Sequence, residues 1–346
     1  IIKHVHRGRI HADINQLRGD NGGTITGRFS YQNPNLQQIP ARNKDIGPLI
    51  RRIFIPEKDH IWGGFDYNQQ EPRLVVHYAL LQNLYGVAEI AEAYKKEKVD
   101  FHKIVADMAE IPRSQAKTIN LGLFYGMGKN KLQAELGISK DKAEKLFNTY
   151  HEKVPFVKEL SDNLIYFAKD NKLIFTLEDR FCRFDKYENV NKKWDNNERK
   201  FKEWDPEAKE IKNKDDTISY QGEWITPRLL TKEQADKEFK KLFNLKSKKK
   251  IEEHTEKERK QYFDNYFTTA FTYKALNRLI QGSAADMTKK AMVLLYKEGI
   301  LPHIQIHDEL CISIPNKETA LKIIDIMEKA IRLKIPNKVD YASGDN

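Results

Sequence analysis

Asp66 closes the strand-like run HIWGGFDY, and Gln69 and Glu71 lie just beyond it. An acid where a strand turns into a helix is a common place for a catalytic or metal-binding group, and equally for a helix cap. Asp308 and Glu309 sit inside LPHIQIHDELCISIP, in the middle of an alternating apolar row. A carboxylate buried there without a partner is costly. Brought beside Asp66, Asp308 would repel it unless one acid were protonated or cations bridged the pair. Oxygen ligands alone favour Mg²⁺ or Mn²⁺, and two such ions suit in-line phosphoryl transfer. Arg113, Lys117, Leu121 and Tyr125 recur at four-residue steps in PRSQAKTINLGLFYG, one stripe along a helix face. Cations in the N-terminal half of a helix oppose its macrodipole. A bound triphosphate would remove that objection, with Leu121 and Tyr125 packing on sugar and base; an ordinary basic surface turn fits the same spacing. The glycines of LGLFYGMG weaken a helix and point to close approach by another group. The acids alone would equally serve a hydrolytic nuclease, whereas acids with the cation stripe favour nucleotidyl transfer.

The elements that must position these groups follow from the pattern. HIWGGFDY predicts a strand ending at Asp66, followed by a helix from about Gln70 to Asn83 with Pro72 tolerated in its first turn. Residues Leu84 to Glu110 predict helix, and Pro112 opens the next one. SKDKAEKLFNTYHEKVPFVKELSDNLIYFAKDN predicts two more. Residues 186–260 are dense in charge, contain KSKKK and lack clean periodicity, so an insertion with local helices is expected there, short of an independent domain. A long helix is predicted over YFTTAFTYKALNRLIQGSAADMTKKAMVLLYKEG, then two short strands flanking a turn at His307 to Glu309, then a terminal helix KETALKIIDIMEKAIRLK. Taken as one strand, the Asp308 segment would put Ile304, Ile306, Leu310, Ile312 and Ile314 on one face; the turn instead carries Asp308 out of the core. Strands at both ends with helices between predict an α+β fold.

Composition adds bounds. The chain has 346 residues and a formal net charge of +10. That excess favours polyanionic partners without identifying one. Cys182 and Cys311 are far apart and form no metal-ligand spacing, which predicts reduced, buried thiols. No run approaches a membrane span, so no membrane partner is expected.

Five separated segments resemble family A DNA polymerases, the group of bacterial DNA polymerase I and several phage replicative enzymes. DYNQQEPR (Asp66 to Arg73) is similar to that family's first palm motif, RSQAKTINLGLFYG (Arg113 to Gly126) to its fingers motif, and IHDEL (Ile306 to Leu310) to its palm hairpin. TGRFSYQNPNLQQIPARN and LNRLIQGSAAD resemble two further segments. The likeness covers nearly the whole chain except 186–260. It implies a right-hand polymerase: palm over 1–70, fingers over 71–283 including the charged insertion, and a second palm part over 284–346. It also implies a template-directed enzyme that adds dNTPs to a primer on template DNA, with two Mg²⁺ ions and Mn²⁺ as a possible substitute.

Residue by residue, the resemblance implies that Asp66, Asp308 and the Tyr67 backbone carbonyl hold the metals. His102, Arg113 and Lys117 would contact the triphosphate. Leu121 and Tyr125 would border the nucleotide, Glu71 would block a ribose 2′-hydroxyl, and Gln69 would help to position Glu71. Arg28, Asn277, Gln281 and His307 would touch primer-template DNA, supported by Asn35, Gln37 and Arg42, with Glu309 secondary at the metals. Departures are visible. Leu121 stands where Phe or Tyr is usual, Gln70 where an apolar residue is usual, and Tyr273 where bacterial members often carry Arg. The reading expects a piece of a longer, phage-like, cytoplasmic enzyme whose thumb and any proofreading domain lie outside these residues, with any replisome partner unspecified. A single-subunit phage-type RNA polymerase and a non-catalytic nucleic-acid-binding remnant are the competing readings.

Overall fold

In the Asp308 hairpin, two residues of turn decide which side chains share a face. The computed structural model describes residues 2–19, 22–40, 45–96, 100, 102–103, 106–107, 111–195, 197, 200–213, 217–246 and 251–344. Strand Ile304–Ile306 turns through His307 and Asp308 into strand Glu309–Ile314, with His307 at φ 57°. Ile304 pairs with Cys311 and Ile306 with Glu309, so Ile304 and Ile306 lie on the face opposite Leu310, Ile312 and Ile314. The two expected strands flanking a turn are present, their apolar residues on opposite faces, and the second strand starts at Glu309, the residue expected to end the turn.

The hairpin belongs to a four-stranded antiparallel sheet in the order Ile304–Ile306, Glu309–Ile314, Ile61–Tyr67, Val339–Gly344. An early strand is thereby flanked by strands from the end of the chain. Phe65, Leu310, Ile312 and Ile314 are buried on one face, and the Lys317–Lys329 helix packs against both the Glu309–Ile314 and Val339–Gly344 strands. Helix Ala275–Lys297 is buried on most sides and packs against helices Gln70–Leu81 and Lys317–Lys329. Its buried Asp286 is held by the Arg180 guanidinium at 2.5 Å and by the backbone N–H of Glu178 at 3.1 Å. Gln70 is buried but satisfied, its amide donating to the Ala284 carbonyl at 3.3 Å. A polar residue is thus accommodated where an apolar one was expected.

The described residues group into two compact units: Ile1–Tyr166, Ile174–Cys182 and Tyr273–Asn346 in the first, Phe167–Leu173 and Arg183–Thr272 in the second. All the elements above belong to the first. Three helical expectations change. Of residues 84–110, Val87–Lys95 forms a regular helix, and only short helical stretches around His102 and Ala106 are described further on. The segment before Ala275 is a strand, Phe267–Thr269, and a 3-10 turn, Thr272–Lys274. Its aromatic and β-branched residues favour a pleated surface over a helix. In the second unit the Lys232–Lys246 and Glu256–Asp264 helices are present, but much of the charged insertion is sheet.

That sheet orders strands Ile218–Ile225, Lys200–Lys212 and Lys192–Asp195, with a bulge between Asp205 and Lys209. Charged residues between the aromatics hide the two-residue period from a hydropathy reading, and the bulge shifts it midway. The second unit has its own core, including Tyr187, Leu230, Phe239, Phe243, Ile251, Phe263 and Phe267. Cys182 and Cys311 are both buried thiols, not joined in a disulfide. Among the described residues no helix is long and apolar enough to cross a membrane.

Candidate active site

Asp66 sits on the central strand with an acid on each side: Glu309 opposite it on one neighbouring strand, Asp340 on the other. Asp308, in the turn, accepts the Tyr67 backbone N–H through its carbonyl at 3.3 Å. Burial, then the charges of Asp308 and Glu309, with a smaller push from Asp340, raise the Asp66 carboxyl to about 7, while Lys117 opposes them. Asp66 keeps an exposed surface, so repulsion among the acids is the part of that shift that bears on chemistry. Burial also raises Asp308, with Glu71 adding to the effect and a backbone hydrogen bond, Arg28 and His307 opposing it. Glu309 is raised by burial and by Asp308, against Arg51. Gly64 makes room for Glu309, since a Cβ there would meet its Oε1 at 2.7 Å. The Tyr67 side chain is buried on the other face and donates to the Met327 carbonyl at 2.8 Å, leaving only its backbone for the acid face.

These acids suit a hard divalent cation: they are all-oxygen donors with more negative charge than the surrounding cations balance. Among the described residues, however, no group of three or more His, Cys, Asp or Glu side chains is already gathered as a metal cluster. The raised Asp66 value makes a stability prediction. A carboxyl whose folded pKa lies above its ordinary 3.8 favours folding while protonated and loses that advantage as pH rises through about 7. Without divalent ions, Asp66→Asn should therefore raise the melting temperature at pH 8 and raise it less at pH 5. Calorimetry of both proteins at both pH values checks this; a lower melting temperature for the variant at pH 8 would contradict it.

The cation stripe lies on helix Arg113–Phe124, and Lys117 is exposed there, its charge reaching Asp66. Arg113 is paired with Asp100 at 2.5 Å. Asp100 also accepts the backbone N–H of His102 at 2.9 Å and of Lys103 at 3.2 Å. Burial raises the Asp100 carboxyl, but Arg113 and these N–H groups outweigh it and hold it below the usual range. His102 is buried, and burial, followed by Arg113 and Lys117 against Asp100, lowers its pKa. Leu121 is half-buried. The glycine signal in this helix has an internal cause. A Cβ on Gly122 would lie 2.1 Å from Met127 Cε, so the group that approaches closely is the chain's own Met127.

Tyr125 caps the helix C-terminus and donates its hydroxyl to Glu71 Oε2. Burial, then the Glu71 charge and this bond, raise the Tyr125 pKa well above normal, while Arg28 and a Gln281 hydrogen bond oppose. Arg28 pairs with the other Glu71 oxygen at 2.5 Å. Glu71, Tyr125, Arg28 and Gln281, drawn from four separate sequence segments, therefore meet at one point. Gln69 has a left-handed backbone at the helix start and accepts from the Tyr94 hydroxyl at 3.2 Å. Asn277 is half-buried, one turn before Gln281 on the same helix.

Asn35 caps a short 3-10 turn by accepting the Gln37 N–H, and the Gln37 amide donates to Gln305 at 3.2 Å. The Gln305 amide in turn donates to the His307 carbonyl, tying this turn to the Asp308 hairpin. Arg42 lies outside the described residues. Sequence reasoning missed Asp100, Asn120, Gln305 and Asp340. Asp340 carries no local signal, because only strand pairing puts it opposite Asp66. Asp100 could have been found as an acid two residues before His102, in helix-capping position.

The family model for "DNA polymerase family A" matches residues 1–203 and 231–346. A DNA-directed DNA polymerase of Pseudomonas phage M6 is 29% identical over 392 residues, covering 99% of this chain and 47% of that protein. DNA polymerase I of Caldicellulosiruptor bescii is 30% identical over 357 residues, covering 98% of this chain and 32% of that protein. The chain thus spans less than half the length of either relative. A solved structure of the POL domain of Pol1 from M. smegmatis, in complex with DNA primer-template and dNTP, superposes with a TM-score of 0.65 at 21% identity, over 99% of this chain and 49% of that one. It supports the α+β polymerase fold. Neither the RNA-polymerase reading nor the non-catalytic remnant gains support from these likenesses.

Proposed function

The chain belongs to DNA polymerase family A, and from that premise we propose that it carries the nucleotidyl-transfer site of a template-directed DNA polymerase acting in the cytoplasm. The observation that carries this reading is the placement of Asp308, in the hairpin turn, next to the strand that holds Asp66, their carboxyls raised by burial and by neighbouring acids, with the Lys117 charge acting on Asp66. In this reading the sheet is the palm, split between residues 1–70 and 284–346, and residues 71–283 are the fingers with their inserted segment.

Asp66, Asp308 and the Tyr67 carbonyl would hold two divalent cations, Mg²⁺ or Mn²⁺, with Glu309 contributing secondarily. When bound, such ions activate the attacking primer 3′-oxygen and stabilise charge on the leaving pyrophosphate. The chain's own residues supply binding, orientation and selection. Lys117 and His102 take the triphosphate, and Arg113 joins them by exchanging Asp100 for phosphate, a stronger multi-oxygen partner. Leu121 and Tyr125 border the base and sugar. Glu71, oriented by Gln69 and held by Tyr125 and Arg28, occupies the space that a 2′-hydroxyl would need. Arg28, Gln281, Asn277 and His307 face primer-template DNA, where minor-groove acceptors common to all correct pairs report pair shape without sequence. Asn35, Gln37 and Arg42 support the duplex.

Primer extension tests this. With Mg²⁺ and a defined template base, the chain should add the complementary dNTP and discriminate against the three others and all rNTPs. Addition of rNTPs at rates equal to dNTPs would favour the RNA-polymerase reading. Failure to bind or add any nucleotide would favour the remnant.

A further inference from the structure

Beside the cation stripe lies a chain of three buried polar side chains from three helical segments. Asn120, on helix Arg113–Phe124, and Tyr150, on helix Lys140–Lys153, are both 0% exposed, and His102 is 5% exposed. The Tyr150 hydroxyl donates to Asn120 Oδ1 at 3.2 Å, and Asn120 Nδ2 lies 3.4 Å from His102 Nδ1. Polar groups this deep persist only when they satisfy one another.

The direction of the chain follows from what each atom can do. Burial keeps Tyr150 a neutral phenol, so its proton needs an acceptor, and Asn120 Oδ1 is the acceptor it reaches. That assigns the amide nitrogen to the His102 side, and an amide nitrogen only donates. His102 Nδ1 must then accept, which places the ring proton on Nε2. Burial and the neighbouring Arg113 and Lys117 also disfavour a second proton on the ring, against Asp100.

We propose that Asn120 and Tyr150 are positioning residues that fix His102 as the neutral Nε2–H tautomer, so that the ring donates a hydrogen bond to a phosphate oxygen of the incoming deoxynucleotide. The proposal rests on the polymerase reading of His102. The relay also explains why a fully buried Asn sits one turn beyond Lys117, on the helix face that carries Arg113 and Lys117. An apolar residue there would pack as well, but it would leave Tyr150 and His102 each lacking a partner.

The test is imidazole ¹⁵N NMR of the whole chain, with the His102 signals assigned by their loss in His102→Gln, alongside nucleotide-addition kinetics. Nδ1 should be unprotonated and Nε2 protonated. Tyr150→Phe keeps the ring packing but removes the donor, so Asn120 can turn over. His102 should become a tautomer mixture, and KM for dNTP should rise about tenfold with kcat changed far less, the scale of one hydrogen bond to a charged group. In a His102→Gln background the same substitution should add nothing. A proton on Nδ1 in the unaltered chain overturns the relay. So does a Tyr150→Phe penalty that persists undiminished without His102, since that marks a packing role. A chain with the expected tautomer that binds no deoxynucleotide overturns the polymerase reading of His102, and with it the donor role.

Discussion

Asp308→Ala should lower single-turnover addition of a matched dNTP by at least about a thousandfold, because removing a cation-holding carboxylate forfeits several kcal/mol of transition-state charge stabilisation. The same change should leave the fold intact. Asp308 lies in a two-residue turn, and its loss relieves a neighbour that pushes the Asp66 carboxyl up. Activity falling while the melting temperature holds or rises is the signature of a group kept for chemistry at a cost to stability. Rapid-quench extension and calorimetry on one preparation check both halves. A loss of less than about tenfold would remove Asp308 from the centre of the account.

Glu71→Ala should relax sugar selection by about 10- to 100-fold, measured as the ratio of kcat/KM for dNTP and rNTP, the scale on which a closely built polar pocket rejects an ill-fitting analogue. The structure gives the reason for a large effect. The Glu71 carboxylate cannot swing aside without breaking its bonds to both Arg28 and Tyr125. Glu71→Gln keeps the bulk and an acceptor for Tyr125, so it should retain most of the discrimination. Equal selectivity in Glu71→Ala and the unaltered chain would take the gate role from Glu71.

The sequence makes the candidate site residues readable because each sits in a short local pattern: an acid after a strand, acids in a strand-like row, cations at helical spacing. What it leaves unread is what depends on pairing between distant segments. Asp340 becomes a neighbour of Asp66 only through strand register. Asp100, Asn120 and Gln305 act through partners on other elements. The turn at Asp308 was legible, but not that a two-residue turn puts the apolar residues of its two strands on opposite faces. The inserted segment misled because dense charge conceals alternation, so strands Lys200–Lys212 and Ile218–Ile225 carried no apolar signature. The glycine in the fingers-like helix was a true sign of close approach, but the approaching group is Met127.

The most direct measurement of the central claim, that Asp66 and Asp308 together hold the catalytic cations, is Mn²⁺ binding followed by electron paramagnetic resonance in the presence of dNTP. The account predicts two bound ions per chain, and a loss of binding of about tenfold or more in both Asp66→Asn and Asp308→Asn, since each variant removes a charged ligand. Unchanged Mn²⁺ stoichiometry and affinity in either variant would contradict it.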